Sequence, residues 1–133
     1  MHATLLLAEP PQATRYVADI ELQSEAQLLE LLSRAEVLLL EGEIVQEGDS
    51  AIVLVLHGPV LRSLVKANYA ESKLLVDRAA SLSALGVLDL KACRSWMGKN
   101  GVEASELQPF VQTVSYGPAE VSRLIREQGY VSF

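Results

Sequence analysis

The chain predicts an α/β fold, a parallel sheet layered between helices, and three observations carry that expectation. Short apolar or alternating runs take turns with helical stretches along its length. One run, Ala51-Ile52-Val53-Leu54-Val55-Leu56, is apolar throughout, as a strand with both faces covered must be. Gly58-Pro59 and Gly117-Pro118 each join a strand to a helix, and proline suits the first helical turn because its missing N–H is not needed there. Such alternation implies right-handed crossovers and parallel strands.

The elements follow in order. Tyr16 to Leu22 alternates as a first strand. Ser24 with Gln27 three residues on is a capping-box arrangement, and the helix it opens carries Leu28, Leu32, Ala35 and Leu39 on one face. The acidic stretch from Glu41 to Asp49 reads as a solvated loop, since nothing near it would desolvate its carboxylates. The strand at Ala51–Leu56 ends in His57-Gly58-Pro59, and a helix is expected at once from Val60 to Val65. Asn68-Tyr69 marks a helix break with its polar groups satisfied locally. A further helix spans Ser72 to Leu85, with Leu75, Ala79 and Leu82 inward.

Gly86 to Ala92 reads as a strand leading into Cys93. The residues beyond it, Arg94 to Gly101, hold two glycines, and an ordinary core helix is not expected there. Ser105-Glu106-Leu107 opens a brief turn, and Val111 to Ser115 alternates as another strand. A last helix starts at Gly117-Pro118 with Val121, Leu124 and Ile125 inward, Gly129 closes it, and Tyr130 to Phe133 forms a terminal strand.

Composition narrows the function. A chain of 133 residues, half of them hydrophobic, is one domain able to bury a core. No apolar run approaches the roughly 18 residues of a membrane span. The first nine residues lack the basic start and long apolar stretch of a signal peptide, so a cytosolic protein is expected, with its single cysteine reduced. A net charge of −6 and the lack of a basic stripe argue against nucleic acid. Two histidines and one cysteine, at positions 2, 57 and 93, have no metal-ligand spacing, and no dinucleotide, P-loop or hydrolase motif occurs. No metal or cofactor is expected.

Parallel sheets bind ligands off the carboxyl ends of their strands. His57, Cys93 and Tyr116 all fall at that edge, with Gly58, Arg94 and Gly117 beside them. A thiol between a strand end and a helix start is a place for an activated nucleophile, although free cysteine also packs as a small hydrophobe. His57 either orients the thiol or closes a buried strand, and Tyr116 lines the same pocket or is an amphipathic ring at a strand end. Trp96 and Met97 are read as a lid over Cys93 or as part of a subunit contact.

In this order and spacing, the strand ending in His57-Gly58, the Asn68-Tyr69 pair, the run into Cys93 with Gly101-Val102 beyond, Leu107 to Pro109, Val114 to Gly117, and Gln128-Gly129-Tyr130 resemble the DsrE/DsrF-like family of sulfur oxidation and sulfur relay. The resemblance covers about residues 16–133 as one domain, with residues 1–15 as an N-terminal extension. It implies a three-layer α/β/α fold with a five-stranded parallel sheet in the order 4-3-2-1-5. It also implies a homo-oligomer, trimer or hexamer, and a cysteine matching Cys93 that carries persulfide sulfur between donor and acceptor proteins. The chain departs from sulfur-relay members after that cysteine, where Arg94-Ser95-Trp96-Met97 stands in place of small residues.

Sulfur transfer needs a thiolate. Two features would lower the thiol's pKa: the flanking Lys91 and Arg94, and backbone N–H groups of a following helical turn. Lys91, two residues back, shares the sheet face with Cys93. Two functions from different classes are open to the sequence. One is a persulfide carrier using Cys93. The other is a non-catalytic oligomeric module that holds a small anionic or nucleotide-like ligand at the helix starts after Gly58 and Gly117.

Overall fold

The structure, a computed structural model, describes residues 14–44 and 50–133. Most of the N-terminal extension and the later part of the acidic loop lie outside the described residues. Five parallel strands form one sheet in the order β4-β3-β2-β1-β5. They are β1 (Tyr16–Glu21), β2 (Ile52–His57), β3 (Leu88–Cys93), β4 (Val111–Val114) and β5 (Val131–Ser132). Helices α1 (Glu25–Leu40) and α2 (Lys73–Ala84) lie on one face, and α4 (Gly117–Gln128) on the other. A short helix, α3 (Arg94–Asn100), follows β3. The expected α/β/α layering and strand order are present.

Alternation along the strands divides the core in two. Ile52, Leu54, Leu56, Leu88, Leu90 and Ala92 point into a large apolar cluster with Leu28, Leu32, Leu75 and Ala79 from α1 and α2. The opposite parity, Val17, Val53 and Val55, meets Leu124 of α4 and Tyr130 in a much smaller cluster. Hence β2 reads as continuously apolar, being covered on both sides. On β3 the second face carries Asp89, Lys91 and Cys93, whereas the first carries Leu88, Leu90 and Ala92. Single-helix cover therefore leaves that side of β3 polar.

Helix ends follow local chemistry. The Ser24 side chain accepts the N–H of Gln27 at 3.4 Å, but the Gln27 side chain returns to the N–H of Gln23 at 2.7 Å rather than to Ser24. Ser72, buried between helix starts, donates to Glu25 at 2.5 Å.

Three expectations need correction. After Gly58 the chain forms two 3₁₀ turns, Pro59–Leu64 and Lys66–Asn68, in place of a helix through Val65. Val65 is extended and bridges Leu107, which interrupts helical propagation, and the Asn68 side chain donates to the Arg62 carbonyl at 2.7 Å. Beyond Cys93 an α-helix does form despite Gly98. Met97 is buried, the Asn100 side chain donates to the Trp96 carbonyl at 2.8 Å, and Gly101 ends the helix with φ 71°. Burial of Met97 thus outweighs a glycine cost of about 1 kcal/mol. Finally, Ile125 faces outward at 42% exposure, because α4 meets the sheet through Val121 and Leu124.

Candidate functional site

The carboxyl edge of the sheet brings together residues that are far apart in sequence. Cys93 ends β3 and stands just before α3. On one side β4 pairs Cys93 with Val114. On the other, Leu56 pairs with Ala92, so His57 lies one step farther along β2, level with Cys93 and of the same parity. Three residues after Val114 the chain opens α4, and this swings Gly117 back over the sheet. An ideal Cβ on Gly117 would sit 3.1 Å from Val55 Cγ1, so the backbone presses against the β2 side chains.

Cys93 is 6% exposed and belongs to neither apolar cluster. Burial pushes its thiol pKa up. The N–H groups of Trp96, Gly117 and Ser95, with the Ser95 hydroxyl, more than offset this and hold the thiol below its ordinary value. The neutral thiol makes no capping hydrogen bond of its own; the charged form is what these groups stabilise. The same Ser95 hydroxyl proton has an alternative acceptor in the Ser115 carbonyl at 3.2 Å, which ties α3 to the loop that precedes α4.

The flanking cations act elsewhere. Arg94 donates through Nε to Thr113 Oγ1 at 2.8 Å. Lys91 shares the face of Cys93 as expected, but its Nζ is 2.5 Å from Glu120 Oε2 and 3.9 Å from Asp89. Neither cation contributes to the lowered thiol pKa, which is the work of amides and a hydroxyl.

His57 sits between two carboxylates that sequence reasoning missed. Its Nε2 is 3.3 Å from Asp19 Oδ1 and its Nδ1 3.7 Å from Glu21 Oε1. Both acids lie on β1, and the register pairs Glu21 with His57. The signal was present in the alternation of Tyr-Val-Ala-Asp-Ile-Glu, which puts two acids on one face at a strand's carboxyl end. Asp19 also faces Gly117, so it links His57 to the first turn of α4.

The other candidates separate. Gly58 has φ 98°, and a Cβ there would meet the Leu22 carbonyl oxygen at 2.7 Å, so glycine is needed for a close crossing of β1 and β2 ends. The next amide along the chain, Val60 N–H, donates to the Leu22 carbonyl at 3.2 Å. Tyr116 is 57% exposed and lines an open cleft of about 430 Å³ with Arg94, Thr113 and Glu120, beside the β4 edge. Met97 is core and Trp96 packs partly against it under the Arg62 guanidinium, 5.7 Å from the ring centroid. These contacts make Met97 a core anchor of α3 in place of a lid or contact residue. Asn68 and Tyr69 are satisfied locally, Tyr69 by donating to Asp77 at 2.8 Å. Among the described residues no three His, Cys, Asp or Glu side chains gather as a metal group would require. No described helix is long and apolar enough to cross a membrane.

No protein-family model matches the chain, and no curated protein matches it significantly. Its fold is similar to that of a solved protein of unknown function, MTH1491 from Methanobacterium thermoautotrophicum, at 20% identity and a TM-score of 0.69. The likeness covers 90% of this chain and 97% of that one. At that identity it supports the fold alone.

Proposed function

We propose that this chain is a DsrE-like sulfur-relay protein that accepts sulfane sulfur on Cys93 as a persulfide and passes it on. One observation carries the reading: Cys93 ends β3 at the carboxyl edge of a parallel sheet, directly before the first turn of α3. A thiolate so held attacks the outer sulfur of a donor persulfide R–S–SH. The new S–S bond forms on Cys93 as the donor's S–S bond breaks, and R–S⁻ leaves with the electron pair. An acceptor thiolate then attacks the outer sulfur and releases Cys93 as thiolate. No metal, cofactor or second cysteine is needed. His57 lies level with Cys93 in the sheet register, its two ring nitrogens turned toward Asp19 and Glu21 of β1. A cytoplasmic homo-oligomer, trimer or hexamer, that meets a donor and an acceptor protein belongs to the same reading.

The anion-binding module is less well supported. The helix start after Gly58 is a 3₁₀ turn with its Val60 amide already bonded to the Leu22 carbonyl.

Intact mass tests the proposal. After incubation with a persulfide donor, the wild type should gain one sulfur atom, lose it to an added thiol, and Cys93→Ser should gain none. A thiol that alkylates quickly yet never loads would point to a redox sensor, and one inert until denaturation would leave no sulfur chemistry to explain.

A further inference from the structure

A second cleft lies on the same face of the sheet as Cys93, toward the opposite end of the strands. Helix α4 packs over β1 and β2 through Val17, Val53, Val55 and Leu124, so the start of β3 flanks the helix instead of lying under it. Asp89, the second residue of β3, pairs with Val53 of β2, and β4 begins only opposite Leu90. The cleft left beside α4 measures about 400 Å³, and Val53, Leu124, Tyr130, Asp89, Lys91 and Arg123 are among its lining residues. Four residues of extended chain put Asp89 roughly 13 Å from Cys93, so the cleft is separate from the thiol.

Asp89 is the unsatisfied group in it. Its side chain is only 21% exposed, yet among the described residues its one polar contact is Lys91 Nζ at 3.9 Å, too long for a hydrogen bond. The neighbouring donors are engaged elsewhere. Lys91 gives one N–H to Glu120 at 2.5 Å, and Arg123 holds the same carboxylate through Nε and Nη2, each at 2.9 Å. The Tyr130 hydroxyl donates to the Ser50 carbonyl at 2.9 Å. Burial accordingly pushes the Asp89 carboxyl pKa up, with Lys91 opposing. A carboxylate taken from water without a donor is costly, and a ligand that brings the donor removes that cost.

We propose that this cleft binds the hydrogen-bonding edge of a 2-amino-4-oxopyrimidine ring, the edge shared by guanine and pterins. The two Asp89 oxygens are acceptors, and Lys91 beside them is a donor, with two of its three N–H bonds left after Glu120. The ring edge presents the complement: an amino group and a ring N–H side by side, then a carbonyl oxygen. Its parallel N–H pair fits a carboxylate as an arginine fork does, and its carbonyl meets Lys91. Charge points the same way. Asp89 and Glu120 cancel Lys91 and Arg123, so the cleft selects a neutral ring, an organic cation being opposed by the two basic groups and an anion by Asp89. Val53, Leu124 and the ring of Tyr130 supply the apolar wall such a ring needs. The site is independent of the sulfur chemistry proposed above.

Isothermal titration calorimetry of the full chain with guanosine and with pterin tests the site. At least one should bind. The matching analogue without the 2-amino group, inosine for guanosine or lumazine for pterin, should bind roughly tenfold or more weakly. Asp89→Asn should reverse that preference toward a 2-oxo ring, xanthosine or lumazine, because its amide donates where the carboxylate accepted. Binding of guanosine alone assigns the site to a nucleobase, binding of pterin alone to a pterin, and binding of both to the shared edge. Binding of neither overturns the proposal, as does equal affinity for the analogues or an unchanged preference in Asp89→Asn. Should that variant fail to fold, the wild-type comparison of each ring with its analogue decides alone.

Discussion

Gly117 and Asp19 stand so close that a Cβ on the glycine would lie 3.1 Å from Asp19 Oδ1. The same carboxylate reaches His57 at 3.3 Å, while the Gly117 amide serves the Cys93 sulfur. The positive end of α4 is thereby shared between a carboxylate on β1 and a thiolate on β3, both of which it favours. Glycine permits this through its size, since its φ is not in the left-handed region.

Gly117→Ala should therefore act by crowding. Val55 Cγ1 and Asp19 Oδ1, both at 3.1 Å from the added methyl, must give way or α4 must lift. A loss of about 1–3 kcal/mol in a urea melt is expected. Alkylation of Cys93 near neutral pH should slow as well, and a variant with unchanged thiol kinetics would separate the amide from the sulfur.

Gly58→Ala should cost more for a different reason. Its backbone, at φ 98° and ψ 178°, lies in a region nearly closed to other residues, and the methyl would meet the Leu22 carbonyl at 2.7 Å. Strain and clash together should remove at least about 2 kcal/mol. Equal urea midpoints for wild type and variant would contradict this.

Glu120 should give the protein a marked acid limb. The Arg123 hydrogen bonds lower its pKa from the ordinary 4.5 to about 2, against the opposing effect of burial and with further help from Lys91. Between those values the unfolded chain binds the proton more readily, so stability rises with pH across that window. The contribution is complete above about pH 4.5 and disappears as pH falls toward 2. Thermal melts should show this fall, and in Glu120→Gln the fall should be shallower.

Ser95→Ala tests the hydroxyl in the cradle. The single proton of the Ser95 hydroxyl goes either to the Ser115 carbonyl, at 3.2 Å, or to the Cys93 thiolate, whose pKa it lowers. The residue is exposed, so stability should change by less than about 1 kcal/mol. The thiol pKa should rise modestly with the backbone amides still in place. An unaltered pH profile of alkylation would show the hydroxyl to be a bystander.

The strands were legible because hydrophobic pattern reports on cover. The unbroken apolar run at Ala51–Leu56 has the pattern of a strand buried on both faces, and alternation at Tyr16–Glu21 that of one with mixed cover. Caps and end glycines likewise act within a few residues, which is why Ser24 and Gly129 were readable as helix limits. Local signals failed where a distant contact overruled them. Val65 left a helical pattern to bridge Leu107, and Met97 held a helix together around Gly98.

The site divides along the same line. From the amino-acid order alone came the layered α/β architecture and the grouping of His57, Cys93 and Tyr116 at one edge, because strand direction and crossover hand place all strand ends together. Only the folded chain decided that amides, not Lys91 or Arg94, answer the sulfur, and that two acids of β1 flank His57. A cation's choice of partner depends on distances between elements many residues apart, here β3 to α4 and α3 to β4. Those distances are products of packing, and no pattern within one segment encodes them.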